Sequence, residues 1–519
     1  MPVLNGPEVG DSLRQRPSWT LVGVALAPGA CLAIWYIVRS YAVVGTLGFP
    51  LDDSWIHAQF ARNLATGQGF TYTGGQWVSG STAPGWTVLL AGAYLVLRNI
   101  VAAGFALGVL LQLVAGYYGI RLAQLFGVHP PVALMAGTLV VIIQVMAWGA
   151  VSGMEVPLAA ALVLAGLYYH FHARERPGPI RHAGAFLLGA SVLARPENLA
   201  VVAVLLAADG FGREPFLVRA RRVGLGLLAA GIAIAPLIAF SIATIGRPLP
   251  TTFYAKSGPG VVRALETRDL DMVERNLKTH GPRAVQAFWA ILIDQFAWGA
   301  WLVPLGIACG IAAGTKRLSL TLLAILLVVP FAMGITAPQR LKPDNVRYAA
   351  QLVVIAAPLM VVGVVRLVRT IRPAVIVLAV FAVLAASRTV ARADEYALSV
   401  KNIQELHVTT GRWLAEHLPP ESTVAANDVG AIAYFSGLRV LDLEGLVSPD
   451  VLPYRQFVDR GIRTVRDMRP DYLAILPGWY PEIAASPEFR EIHRISIVDN
   501  MIAAGDSLVI YVPPWTRPR

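Results

Sequence analysis

The feature that most constrains this chain is a series of apolar runs, nearly free of charge and each about 17 to 25 residues long, separated by short segments that carry arginine. They fall at roughly 19–43, 101–120, 131–149, 156–172, 222–245, 296–313, 318–335, 348–366 and 373–390. A run of this length crosses a hydrocarbon core about 30 Å thick as a helix, the local structure that satisfies every backbone polar group within one segment. A further apolar stretch, 182–209, is interrupted by Arg195-Pro196-Glu197-Asn198. A proline beside a charge pair predicts two shorter helices meeting there. The expected fold is thus an α-helical polytopic membrane protein of about eleven spans.

Composition agrees, since only 14% of residues are charged against about 25% in soluble domains. The net charge of +11 would suit nucleic acid, but the arginines sit in clusters between apolar runs, so no nucleic-acid partner is expected. Cys31 and Cys309 lie far apart inside apolar segments and support neither a disulfide framework nor a thiolate metal site. Residues 1–18 are polar and proline-bearing, which argues against a cleavable signal; the run after them is long enough to stay as a span.

Lys and Arg in short loops mark the cytoplasmic side. Arg14 and Arg16 put the N-terminus inside, and Arg121, Arg174, Arg176, Arg181, Arg213, Arg219, Arg221, Arg222, Lys316, Arg317, Arg366, Arg369 and Arg372 follow, provided the short run 84–97 lies along the outer interface or re-enters. The extracytoplasmic face of the cell membrane then receives loop 44–83, Glu155, the Arg195–Glu197 break, loops 246–295 and 336–347, and the tail. Three divisions result: a cytoplasmic segment 1–18, a membrane domain 19–390, and a small extracytoplasmic α/β domain 391–519. The last reads as an amphipathic helix to His417 followed by β-type runs at 422–426, 472–476, 492–498 and 507–512.

The polar residues of that outer face carry the chemistry. Asp52 and Asp53 open the first loop just outside a span, where carboxylates are costly unless solvated, paired or used. Adjacent carboxylates repel, so one can act as a general base, or both can share a divalent cation such as Mg²⁺ or Mn²⁺. The plain alternative is a helix cap. Trp55, His57, Arg62 and Asn63 follow, then a glycine-, hydroxyl- and aromatic-rich stretch 70–86 containing Ser81 and Thr82. Flat aromatic faces suit sugar C–H surfaces and equally suit an interfacial belt. Glu155, Arg195 and Glu197 form either structural ion pairs or a polar site. Tyr254 and Lys256, with Arg347 and Tyr348, present cations beside apolar surface, as a lipid-linked phosphate or ordinary lipid head groups would require. No metal-type histidine spacing occurs on this face, and the chain has no phosphate-binding loop, nucleophile elbow or dinucleotide fingerprint.

Taken together, Asp52-Asp53, Ala61-Arg62-Asn63-Leu64, Gly67-Gln68-Gly69-Phe70, Gly74-Gly75, Gly80-Ser81-Thr82 and Pro84-Gly85-Trp86 resemble the first outer loop of the GT-C superfamily of polytopic glycosyltransferases, most nearly the terminal arabinofuranosyltransferase branch. Ser152-Gly153-Met154-Glu155, Ala194-Arg195-Pro196-Glu197, Thr251 to Lys256, Arg347-Tyr348 and the tail segments 428–437 and 440–446 follow in the expected order. The resemblance implies an inverting enzyme that moves a sugar, arabinofuranose or mannose, from a polyprenyl phosphate to an extracytoplasmic glycan, lipid or protein acceptor. It implies Asp52 or Asp53 as the base and Lys256, Arg347 and Arg195 as phosphate ligands. Trp55, His57, Arg62, Asn63, Ser81, Thr82, Glu155, Glu197, Tyr254 and Tyr348 become substrate contacts, and the tail a place to hold the acceptor. Gln76 departs from the pattern, where a Glu is common. The competing reading, a transporter or flippase of lipid-linked intermediates, needs polar groups at the membrane midplane or on both faces, and few charges here lie mid-span.

Overall fold

The computed structural model of the chain describes residues 17–173, 180–256, 258, 260–338, 340–342 and 345–516. Arg14, Arg16, Arg174 and Arg176, used above for orientation, lie outside them, as does the side chain of Arg181. Among the described residues, seven helices are long and apolar enough to cross a membrane, including Trp19–Val44, Ile100–Gln124, Phe216–Ile245 and Lys316–Thr336. Pro130–Ile142 and Gln144–Val151 make an eighth crossing if the pair, bent by 56°, is one span. The expected segments are present, but fewer are full-length crossings. Val156–His172 is short, and the run expected at 296–313 is the end of a 43-residue helical stretch, Leu270–Ala312. As the proline predicts, Ile180–Val192 and Leu199–Gly210 are separate helices joined through the 3-10 turn Pro196–Asn198. Residues Pro84–Leu97 form a 14-residue helix, about 21 Å long at 1.5 Å per residue and so short of the bilayer core.

Small residues let the helices approach. A Cβ on Gly306 would overlap the Leu359 carbonyl, and one on Gly108 the Ala150 carbonyl, the close backbone contact that drives association where lipid offers no hydrophobic contrast. At the centre stands Ala350–Val368, buried at every position from Ala350 to Val365. The 3-10 turn Val346–Tyr348 runs directly into it, so Arg347 and Tyr348 are attached to the most deeply buried of the candidate spans.

The first loop is a folded unit. Leu51 is extended, with φ −137° and ψ 145°, and the helix Asp52–Ala65 begins after it with both acids in its first turn, where they oppose the helix dipole favourably. Asn63 Nδ2 then donates to the carbonyls of Thr71 (3.0 Å) and Tyr72 (2.8 Å), folding the chain back. Thr71 pairs with Trp77 across a turn in which Gly74 and Gly75 have φ of 73° and 77°, a conformation costly for residues with a Cβ.

In the tail, helical residues 393–417 lead into a five-stranded sheet: β1 (Thr423–Ala426), β2 (Arg439–Asp442), β3 (Tyr472–Ile475), β4 (Arg490–Ser496) and β5 (Ser507–Val512), in the order β2-β1-β3-β5-β4. β1 pairs in parallel with β2 and β3, and β5 runs antiparallel to β3 and β4. The helix Gly430–Ser436 makes the β1 to β2 crossover. One face of the sheet packs Leu473, Ile475, Tyr480 and Val509. The other packs Val424, Ala426, Leu414 and Ile432 in a single cluster with Ile56, Phe60, Tyr72 and Val78 of the first loop. Loop and tail, read above as parts of separate divisions, therefore share a core.

Candidate active site

The first turn of the Asp52–Ala65 helix sends its two carboxylates to different places, because neighbouring helical residues project about 100° apart. Neither side chain caps this helix. Asp52 accepts from the backbone N–H groups of Gly430 (2.7 Å) and Ala431 (2.8 Å), at the start of the tail helix Gly430–Ser436. Burial, partly offset by His407 and those two amides and reinforced by Asp428, raises its pKa to about 6. Asp53 turns the other way and meets Arg347, Nη2 to Oδ2 2.9 Å. Burial pushes its pKa up, but the positive charges of Lys256 and Arg347 and the Arg347 hydrogen bond outweigh that and hold it well below the usual carboxylate range. The pair thus presents no shared oxygen cage, and no group of three or more His, Cys, Asp or Glu side chains that could hold a metal occurs among the described residues.

Asp53 lines a cavity of about 390 Å³ with Thr82, Glu155, Arg195, Glu197, Lys256, Arg340, Arg347 and Tyr348. Its remaining wall is apolar, including Met154, Ala194, Leu199, Ala200, Ala203, Phe253, Ala332 and Met333, and its volume lies within the range of small-ligand sites. Tyr348 is the hub of the cationic side: Arg195 stacks on its ring at 4.7 Å and Arg347 at 5.2 Å, while Arg340 Nη1 donates to its hydroxyl at 3.1 Å. Behind this layer Arg195 Nη2 meets Glu155 Oε1 at 2.6 Å, both residues almost fully buried. His57 Nε2 lies 3.5 Å from Glu155 Oε2, and its Nδ1 lies 3.3 Å from both Ser81 and Thr87 hydroxyls. Despite burial, Arg195 and His57 draw the Glu155 pKa down to about 2. Four cavity residues carry a buried polar atom with no hydrogen-bond partner among the described residues: Arg347 Nη1, Arg195 Nε, Glu197 Oε2 and Glu155 Oε2, the last 3.5 Å from His57 Nε2. Unpaired buried polar atoms are rare and costly in folded proteins, and clustered around one cavity they suit a polar ligand.

A second cavity, about 360 Å³, lies on the other side of Arg347 and is lined by Gln144, Trp148, Asn345, Arg392, Glu395, Tyr396 and Ser399, with Met501 from the tail. Arg347 lines both.

Of the residues selected from sequence, Asp53, Thr82, Glu155, Arg195, Glu197, Lys256, Arg347 and Tyr348 come together at the first cavity. The others do not line it. Trp55 packs between Phe49, Tyr434 and Phe435. Arg62 stacks 4.0 Å from the Tyr434 ring and donates to its carbonyl. Asn63 holds the loop turn, His57 and Ser81 sit in the layer behind, and Tyr254 faces Arg247 at 4.9 Å. Arg340, Thr252 and Phe253 also line the cavity and were not selected. Arg340 sits seven residues before Arg347 in the same outer loop, which was a usable signal.

A family described as a domain of unknown function, DUF8728, matches residues 395–511, within the tail. No curated protein matches by sequence. Among solved structures, the archaeal oligosaccharyltransferase AglB from Archaeoglobus fulgidus, in complex with an inhibitory peptide and a dolichol-phosphate, is similar at 13% identity and a TM-score of 0.58, covering 88% of this chain and 70% of that one. ArnT from Cupriavidus metallidurans, bound to undecaprenyl phosphate, is similar at 12% identity and a TM-score of 0.59, covering 94% and 98%. Both superpositions run through the membrane bundle and into the tail, and this chain has the fold of the GT-C membrane glycosyltransferases.

Proposed function

We propose that the chain is an inverting glycosyltransferase that moves a sugar from a polyprenyl-phosphate donor to an acceptor hydroxyl at the extracytoplasmic face of the cell membrane. The observation that carries this reading is the carboxylate of Asp53, paired with Arg347 and within the field of Lys256 at the wall of a largely apolar cavity. An anionic head on a hydrocarbon chain needs that combination of apolar wall and fixed cations. The two structural neighbours were solved with a dolichol-phosphate and with undecaprenyl phosphate, which supports the donor class. Arginine placement supports the extracytoplasmic side.

In the proposed reaction the donor phosphate engages Arg347, whose Nη1 has no hydrogen-bond partner among the described residues, together with Lys256 and Arg340. Its negative charge offsets the field that keeps Asp53 a weak base, so the Asp53 pKa rises as the donor binds. Asp53 then takes the proton of an acceptor hydroxyl at the wall of the first cavity. The acceptor oxygen bonds to the anomeric carbon as the bond from that carbon to the phosphate oxygen breaks, with inversion. The departing polyprenyl phosphate keeps the electron pair, and the guanidinium groups stabilise the developing charge. These cations carry the phosphate without a divalent ion. Glu197 meets a hydroxyl of the donor sugar, arabinofuranose or mannose.

The test is transfer by purified protein in liposomes supplied with synthetic polyprenyl-phosphate arabinofuranose or mannose and a glycan acceptor. Release of polyprenyl phosphate together with an inverted glycoside supports the reading. Binding and transbilayer movement of the donor without bond cleavage would instead favour a flippase.

A further inference from the structure

We propose that the tail positions the catalytic loop, and that Asp52 is the joint: by accepting the backbone N–H groups of Gly430 and Ala431 it clamps the start of the Asp52–Ala65 helix to the tail and thereby sets where Asp53 stands. This rests on the reading of Asp53 as the base. It gives the DUF8728 region a task other than holding acceptor.

Three independent contacts carry it. The first is the Asp52 joint itself, 2.7 and 2.8 Å to the two amides, at a place so close that a Cβ on Gly430 would overlap the Asp52 carbonyl. The second is the shared core: Phe60 and Tyr72 of the loop are buried in one cluster with Val424 and Ile432 of the tail, and Tyr72 donates its hydroxyl hydrogen to the Val429 carbonyl at 2.8 Å. The third is Arg62, bonded to the Tyr434 carbonyl at 3.0 Å and stacked on its ring. All three join the loop to the tail, through Asp52 in the first turn of the helix, Phe60 and Arg62 more than two turns further on, and Tyr72 in the segment folded back over it. Asp53 is one peptide bond from Asp52, so a shift of the joint is transmitted to it almost undiminished. Misplacing a reacting group by about 1 Å can cost on the order of 100-fold in rate.

The joint therefore bears on the chemical step more than on donor binding: Arg347 touches Asp53, but it and Lys256 are positioned by other elements. Asp52→Asn keeps the shape but turns one N–H donor toward an amide, and Gly430→Ala displaces the joint from the tail side, its Cβ meeting the Asp52 carbonyl and Oδ2, without removing a charge. Each is expected to lower kcat by about 10- to 100-fold with the donor KM within about threefold of wild type, and the double variant to lose little more than the worse single one, since both break the same contact. Asp53→Asn, by contrast, removes the base. Wild-type kcat in Asp52→Asn and Gly430→Ala overturns the proposal, and so does an Asp52→Asn enzyme as inactive as Asp53→Asn, which would make Asp52 a reacting carboxylate. A second readout does not need glycosyl transfer: in full-length Asp52→Ala in detergent, hydrogen exchange across 52–65 and 430–436 is expected to rise at least about fivefold while exchange in 350–365 stays unchanged. Unchanged exchange in 52–65 sinks the clamp even if sugar transfer is intact, and raised exchange upholds it even if no sugar is transferred.

Discussion

Replacing Arg347 with alanine removes the residue common to both cavities, and the geometry gives the size of the effect. Its Nη2 lies 2.9 Å from Asp53 Oδ2, and its Nη1 is buried without a hydrogen-bond partner among the described residues. In the proposed complex that second nitrogen meets the donor phosphate, and a hydrogen bond to a charged group contributes about 1.5–3 kcal/mol, or roughly 10- to 150-fold at 1.4 kcal/mol per decade. The donor KM should rise by that factor. Loss of a charge that stabilises the leaving phosphate should lower kcat by a further factor of about 100 to 1,000. The substitution also unmasks Asp53. With Arg347 gone, burial is opposed mainly by Lys256 and the Asp53 pKa rises, by about 1–3 pH units. An ionised base is needed, so activity is lost as pH falls through that pKa. Wild type keeps Asp53 ionised throughout the mildly acidic range, and Arg347→Ala should show an acid limb at higher pH. Arg347→Lys, with one point charge in place of a two-nitrogen fork, should fall between the two. Steady-state transfer in liposomes across pH 4–8 measures all three effects. A kcat/KM within threefold of wild type, or an unmoved acid limb, would refute the placement of Arg347 between base and phosphate.

Other expectations follow from the same site. Glu155→Gln leaves Arg195 buried without its counter-ion and should cost about 3–5 kcal/mol, read as a lower thermal midpoint in detergent, with Arg195→Met in the same chain recovering part of it. Because the Glu155 pKa falls from its ordinary 4.5 to about 2, that stabilisation is complete above pH 4.5 and lost as pH drops toward 2. Ala203→Trp fills the apolar wall of the first cavity and should raise the donor KM by at least tenfold with the anion ligands untouched; an unchanged KM would place the hydrocarbon elsewhere. Sugar transfer should persist in EDTA, since cationic side chains are proposed to carry the phosphate, and its loss with recovery on added Mg²⁺ or Mn²⁺ would show that a cation is required.

Much of the membrane domain is legible in the sequence, because apolar length and arginine placement are local signals. The break at Arg195-Pro196 was readable for the same reason. Crossing lengths were less so: nothing local shows that 296–313 continues a helix from upstream, or that Val156–His172 stops short. At the site, Lys256, Arg195, Glu155 and Arg347 could be gathered as charges on one face, but the divergence of Asp52 from Asp53 could not. Two adjacent acids on a helix are equivalent until the tail packs against one side. The same return of the tail claims Trp55 and Arg62, whose aromatic and cationic character suited sugar recognition equally well. β2 escaped notice because Arg439–Asp442 holds only two apolar residues between two charged ones, whereas β1 and β3, equally short, are largely apolar.

The most direct test of the account compares Asp53→Asn and Asp52→Asn in one assay, transfer of a radiolabelled sugar from a polyprenyl phosphate by purified protein in liposomes, with donor binding measured alongside. The account predicts no detectable transfer in Asp53→Asn with the donor still bound, and reduced but measurable transfer in Asp52→Asn. Wild-type transfer by Asp53→Asn would contradict it.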